Sequence, residues 1–439
     1  MKRQRGAALL IALVIVVLGV STGLLSAYSQ RNIQAERDQI TDAALTRAKA
    51  ALIAYAVSRP VGISGTLANA ARPGDLPCPD RDNNGQDEPD CGNGSGSTYQ
   101  DYRLGRLPWI TLELPDLRDG SGERLWYAVS SNFKQRYRYN SPVNSDTPGT
   151  ISIRDASGNL LRDAQAGQGV VAVIIAPGNV LRRPSSVSDP TPYTQARSLA
   201  GQNTAQNYLE LVAAEDNADF VDNTQNGFIA GPVRDANGSL ISNDRMIWIT
   251  AEELALAMEK RVIAEVVQCL REYGQYPDNG GRYPWTAPDT SFMDATGSRF
   301  GRIPDNPFTR TRNSAAAMQD TWTGDCNINS NSGWWPNWKE LVFYGLADFH
   351  KPDPAVPIGN CSSVTPFVNC LSLNGHTDRQ FVVIVAGRRI ATTAPPQSRS
   401  TTAQKNSASN YLEGSNVGGN LFITAFSAAP FNDVVRPYP

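Results

Sequence analysis

The run Asp80-Arg81-Asp82-Asn83-Asn84-Gly85-Gln86-Asp87-Glu88 places acidic or amide oxygens at alternate positions ahead of and behind a glycine. Calcium takes roughly six to eight oxygen ligands, and an Asp-x-Asp-x-Asn-Gly turn folds several of them around one ion. The spacing predicts Asp80, Asp82, Asn84 and Asp87 as a calcium set. Cys78 and Cys91 bracket the loop, and a disulfide between them would close it at a gain of roughly 3 kcal/mol. The loop departs from a full EF-hand, because Cys91 stands where the closing bidentate glutamate belongs. The competing reading is a solvated acidic turn.

Six cysteines are present: Cys78, Cys91, Cys269, Cys326, Cys361 and Cys370. None forms a C-x-x-C pair. An even count with two pairs close in sequence fits disulfides formed in an oxidising compartment. Proximity favours Cys78–Cys91 and Cys361–Cys370, which leaves Cys269–Cys326. Other connectivities, and buried free thiols, stay open at this stage.

Other chemistry is sparse. Trp334-Trp335-Pro336-Asn337-Trp338 offers either a sugar-stacking face or core packing at the start of a strand. The two histidines, His350 and His376, argue against His-based catalysis and against a His-built zinc site. No G-x-S-x-G, H-E-x-x-H or Walker loop appears, so the chain is not expected to be an enzyme. With Lys+Arg 40 against Asp+Glu 42 there is no basic field to attract nucleic acid.

The elements that must position these residues begin at the N-terminus. Lys2, Arg3 and Arg5 form a basic head, Gly6 follows, and no charge occurs from Ala7 to Ala27. As a helix that run is ~31 Å long, matching a bilayer core. Basic residues ahead of it predict a cytoplasmic N-terminus and an external remainder. A signal-peptidase site at Ala27-Tyr28-Ser29 and a plain signal anchor are the alternatives. From Gln30 to Tyr55 a polar, then amphipathic, helical pattern continues, with Ala44, Ala48, Ala51, Leu52 and Tyr55 at helical spacing.

The segment Lys2-Arg3-Gln4-Arg5-Gly6-Ala7-Ala8-Leu9-Leu10 resembles the prepilin leader of the type IV pilin and pseudopilin family. The resemblance implies cleavage by prepilin peptidase between Gly6 and Ala7 and methylation of the new Ala7 amine. It also implies partners: other pilins or pseudopilins through the N-terminal helix, and the inner membrane. Structural calcium is common in pseudopilins, which supports the acidic loop as a site. Ile11 stands where most pilins carry a glutamate, the fifth residue of the mature chain. In this respect the chain resembles a large minor, tip-located pseudopilin.

A degenerate duplication runs through the remainder. Gly74-Asp75-Leu76-Pro77-Cys78-Pro79 resembles Gly281-Arg282-Tyr283-Pro284-Trp285, and Leu104-Gly105-Arg106-Leu107-Pro108 resembles Phe300-Gly301-Arg302-Ile303-Pro304. The run Val170–Ala176 resembles Phe381–Ala386, and Asn207-Tyr208-Leu209-Glu210 resembles Asn410-Tyr411-Leu412-Glu413. Each copy opens on a predicted helix, Thr41–Val57 and Ala251–Tyr273. Thr250 and Glu253 are placed for a capping box.

The expected fold class is α+β. A transmembrane helix continues into an amphipathic helix and is followed by two tandem pilin-like helix-plus-antiparallel-sheet domains. The expected divisions are a leader at 1–6, a transmembrane helix at 7–27, a first repeat with its stalk helix at 28–249, and a second repeat at 250–439. The expected location is the inner membrane, single-pass, with both repeats periplasmic and sited at a filament tip. The expected function is a minor subunit that primes or caps a type IV pilus or a type II secretion pseudopilus. The alternative is a filament-tip adhesin or ligand-binding module anchored in the same membrane.

Overall fold

The computed structural model describes residues 4–58, 73–88, 103–134, 143–185, 191–213, 215–218, 227–288, 292–307, 318–322, 324, 326, 328, 334–353, 355–359, 361, 370–425 and 430–439. Side chains of the first helix are described from Arg31 onward.

That helix, α1, runs Gln4–Ser58. From Thr41 it packs on the rest of the molecule through Thr41, Ala44, Leu45, Ala48, Leu52 and Ala56, all buried. Steps of three and four keep these residues on one face. Before Thr41 the contrast is sharp: from Arg31 to Ile40 every residue except the half-buried Asp38 is exposed. The point of departure is pinned by backbone. Gly120 N–H donates to Thr41 Oγ1 at 2.9 Å, and a Cβ at position 120 would lie 2.2 Å from the Arg37 carbonyl oxygen. Arg245 adds ion pairs to Asp38 (2.9 Å) and Asp42 (2.5 Å).

The second helix, α2, spans Ala251–Gln275 and opens on the capping box of Thr250 and Glu253. Leu254, Met258, Val262, Val266, Leu270 and Tyr273 form its buried stripe. Lys49 of α1 meets Glu253 of α2 at 2.6 Å.

Two four-stranded antiparallel sheets flank these helices, and their topologies match. The first takes strands β1 (Leu104–Arg106), β2 (Trp126–Val129), β3 (Val170–Ala176) and β4 (Arg245–Thr250), hydrogen-bonded in that order. The second takes β5 (Phe300–Arg302), β6 (Val342–Leu346), β7 (Phe381–Val385) and β8 (Val434–Tyr438). Each main sheet is backed by a three-stranded one with a parallel pair: Gly227–Ile229 beside Ser152–Arg154, and Leu421–Phe422 beside Leu371–Leu373.

Covering on both faces explains the composition of the central strands. β3 is wholly buried; Val171, Ile174 and Ala176 face the helices, while Val173 and Ile175 face the small sheet. In β7, Phe381, Val383 and Val385 turn inward and Val382 and Ile384 outward. A strand buried on both faces loses the apolar–polar alternation and reads as a continuous β-branched run. The helix-facing residues of both sheets and both helices belong to one hydrophobic core. Residues on either side of the expected 249/250 boundary, Ile249 and Leu254 among them, contribute to that core.

Two expectations are overturned here. Among the described residues no helix is long and apolar enough to cross a membrane. The expected fold class, a transmembrane helix leading into two tandem pilin-like domains, is therefore corrected to two long helices and many small sheets around a shared core. The expected single-pass inner-membrane location falls with it. The physical reason lies in charge. The part of α1 whose side chains are described, from Arg31 onward, carries Arg31, Glu36, Arg37, Asp38, Asp42, Arg47 and Lys49, and α2 carries Glu252, Glu253, Glu259, Lys260, Arg261, Glu265, Arg271 and Glu272. Each of these is costly in a hydrocarbon interior.

Two disulfides staple the second half. Cys269 in α2 bonds Cys326 across a separation of 57 residues, and Cys361 bonds Cys370 across 9. Cys78 is also disulfide-bonded, while Cys91 lies outside the described residues.

Candidate functional site

The acidic loop is anchored from below by Asp80, which is almost fully buried. The Asp80 backbone pairs with Arg106 of β1, N to O at 3.0 Å and O to N at 2.6 Å. Its side chain then organises the turn. Asp80 Oδ1 accepts from the N–H of Asn83 at 2.6 Å and of Asn84 at 3.2 Å, and Oδ2 accepts from Gly85 N–H at 2.7 Å. Gly85 has φ +88°, and a Cβ there would lie 2.7 Å from the Trp109 ring. Both facts require glycine at this point. Arg124 fixes the turn from outside through the carbonyl and side-chain oxygens of Asn83, at 2.9 and 2.8 Å.

Carboxylate oxygens of Asp80, Asp82 and Glu88 lie within 4.8 Å of one another. Counting Asp80 as the first position of a calcium loop, Asp82 is third, Asn84 fifth, Gly85 sixth and Glu88 ninth, the ligand register of that loop class. Burial pushes the Asp80 carboxyl up to about 6, against the pull of the Gly85 and Asn83 N–H groups, and Asp82 beside it adds to the rise. A divalent cation would relieve that charge crowding. The donors are hard oxygens, which suit calcium.

The geometry revises the predicted set. Asp80 and Asp82 converge as expected. Asn84 stands at the margin, its Nδ2 donating to Asp82 Oδ2 at 2.9 Å and its Oδ1 accepting from Gln86 N–H at 2.7 Å. Asp87 turns away: Thr111 Oγ1 accepts from its N–H at 2.8 Å and donates to its Oδ1 at 3.0 Å. Glu88 takes its place and also accepts from Arg81 N–H at 3.0 Å. The ninth-position register was the sequence signal for Glu88. Gly6 and Ala7 lie within the helical backbone of α1.

The tryptophan run is not a ligand surface. Trp334, Trp335 and Trp338 are buried in the shared core, and Trp335 Nε1 donates to Asp305 Oδ1 at 2.8 Å. His350 is buried against Tyr283, with Nδ1 2.8 Å from the Gly281 carbonyl oxygen; burial holds its pKa below the usual histidine range. His376 is exposed on the Arg379-containing strand.

A second kind of site, unforeseen in the sequence, occurs once in each half. Asp244 and Glu210 are completely buried together. Asp244 Oδ2 accepts from Glu210 N–H at 3.0 Å and Asn217 Nδ2 at 2.8 Å, and Glu210 Oε1 accepts from Gln195 Nε2 at 3.0 Å. In the second half Asp433 Oδ2 accepts from Glu413 N–H and Asn416 Nδ2, each at 3.0 Å, and Glu413 Oε1 from Gln397 Nε2 at 2.7 Å. Burial, then the neighbouring glutamate, drives the Asp244 and Asp433 carboxyls far up from the usual range. A carboxyl buried beside another carboxyl is disfavoured in its charged form, so the fold favours the protonated form of each aspartate. Both pairs are buried and tie turns and strands of their half together through these hydrogen bonds. The signal in the sequence was the repeated glutamate of Asn-Tyr-Leu-Glu.

Comparison with known protein families, with curated proteins and with solved structures finds no match for this chain.

Proposed function

We propose that this chain is a non-catalytic assembly subunit of the prepilin-processed kind, which primes or caps a type IV pilus or a type II secretion pseudopilus. The observation that carries the reading is the form of α1. Its face is buried from Thr41 onward, yet from Arg31 to Ile40 the helix is largely exposed and meets the head at Arg37 and Asp38, with Ile33 and Ile40 each nearly half exposed. An exposed helical stem ahead of a stapled, duplicated head suits helix-to-helix packing between subunits. The leader ending at Gly6 and the absence of a recognisable catalytic motif support the same reading. Mass spectrometry of the protein from its native host is the test. A mature chain starting at N-methylated Ala7 is expected; a terminus elsewhere overturns the proposal.

The acidic loop has a supporting role in this reading: it holds one calcium ion through Asp80, Asp82 and Glu88 and stiffens the head near β1. Calcium at about a hundred times its Kd stabilises the folded chain by about 2.7 kcal/mol. The expected result is a melting midpoint several degrees higher in millimolar calcium than in chelator, with the difference lost in Asp82→Ala. An identical midpoint in both buffers leaves the loop a hydrogen-bonded turn.

A further inference from the structure

The two halves meet at a plug. Residues 143–148 of the first half insert between α2 and the sheet side of the second half. Val143 is buried in the shared core. Asn144 Nδ2 donates to the Asn337 carbonyl oxygen at 2.9 Å. Asp146 accepts from Arg389 N–H at 2.9 Å and from Arg399 Nη1 at 2.9 Å. Ser145, 1% exposed, is the innermost polar residue of the plug.

Ser145 Oγ lies 2.7 Å from Glu259 Oε1 and 3.2 Å from the Ala386 carbonyl oxygen. A hydroxyl has one hydrogen, and both neighbours are acceptors if Glu259 is ionised. Both contacts are satisfied together only when Glu259 carries a proton, donates it to Ser145 Oγ, and leaves the serine hydrogen for Ala386. Glu259 is itself 3% exposed, on α2. The charged groups that face it are Arg399 and Glu413 of the second half and Asp146 of the plug. Arg399 is already committed to Asp146 and to the Gly387 carbonyl at 3.2 Å, so among the described residues facing Glu259 no uncommitted cation awaits its ionised form.

We infer that the joint between the halves is a proton-operated latch, closed while Glu259 is neutral and loosened when it ionises beside Asp146 and Glu413. Burial pushes the Glu259 carboxyl up to about 7, with the Ser145 hydrogen bond and Arg399 opposing and Asp146 and Glu413 adding to the rise. The folded value is raised, so the stabilisation is complete below the unfolded range and is lost as pH rises through about 7.

Hydrogen exchange of the full chain, followed by mass spectrometry and corrected for intrinsic rates, tests the latch. Between about pH 6 and pH 8 the protection of residues 143–148 is expected to fall about tenfold. Glu259→Gln carries the same donor as the protonated acid, so its protection should stay high and flat over the same range. Equal pH responses in the two proteins, or a Glu259→Gln variant unprotected at both pH values, would overturn the inference.

Discussion

Replacing Cys269 and Cys326 together by serine lowers the unfolding free energy by about 4 kcal/mol, while replacing Cys361 and Cys370 costs about 2.5 kcal/mol. The difference follows from chain entropy: the first bridge closes a loop with a separation of 57 residues and the second one of 9. Cys269 also lies in the core stripe of α2, where a serine hydroxyl adds a desolvation cost. Urea unfolding of the two double variants, read as midpoints at constant slope, checks the order. A larger loss from the short loop would show that the bridges act through local strain rather than by restricting the unfolded chain.

Alanine at Arg302 is the second large loss, about 3 kcal/mol. Arg302 is fully buried, stacked 3.7 Å from the Phe343 ring centroid and 4.2 Å from that of Tyr411. It donates to the carbonyl oxygens of Glu340 and Lys405. Truncation leaves those carbonyls without their donor, opens a cavity and removes both ring contacts. Lysine should recover little, because its ammonium cannot lie flat between two rings and serve two separated carbonyls. Arg106 repeats the arrangement in the first half, 4.2 Å from Trp126 and 3.9 Å from Tyr208, and donates to the Arg124 and Gln202 carbonyls. Arg106→Ala should therefore cost a similar amount. Thermal unfolding of Arg302→Ala, Arg302→Lys and Arg106→Ala tests this; a lysine variant as stable as the parent would contradict the stacking argument.

The duplicated Gly-Arg motif was legible because two constraints coincide on it. A Cβ at Gly105 would lie 2.6 Å from the Asp80 carbonyl oxygen, and one at Gly301 would lie 2.4 Å from that of Ala287. The arginine that follows each glycine is the stacked one. β3 and β7 were legible as β-branched runs, and the Thr250–Glu253 box announced the start of α2. Less could be read of β4 and β8. Arg245-Met246-Ile247-Trp248 is half-buried at a sheet edge, and Pro437 interrupts the β8 pattern, so neither shows a clean period.

The membrane span and the tandem domains were misjudged for a different reason. Hydropathy was read from residues 7–27, whereas the helical side chains that are described, from Arg31 onward in α1 and throughout α2, are frequently charged and share one core. Sequence repetition reports common ancestry of two units, and not whether their apolar faces close separately. The acidic loop was legible in part: Asp80 and Asp82 converge, Asn84 stands at the margin, and Glu88 rather than Asp87 joins them. Thr111, remote in sequence, decides that Asp87 turns outward, and no local spacing could have revealed it.

The paired buried carboxyls also bear on the charge the molecule presents to its surroundings. The composition implies a net charge of −2, but that figure counts every carboxyl as ionised. Burial and the neighbouring glutamate favour the uncharged form of Asp244 and of Asp433 in the native fold, so the native chain carries less negative charge than the composition implies. A smaller net charge weakens the mutual repulsion between copies of the folded protein. In the denatured chain the burial is gone and both aspartates ionise as ordinary carboxyls at neutral pH. Acquiring the native form is thus linked to proton uptake, and mildly acidic surroundings favour a compact, weakly charged particle that packs readily against its neighbours.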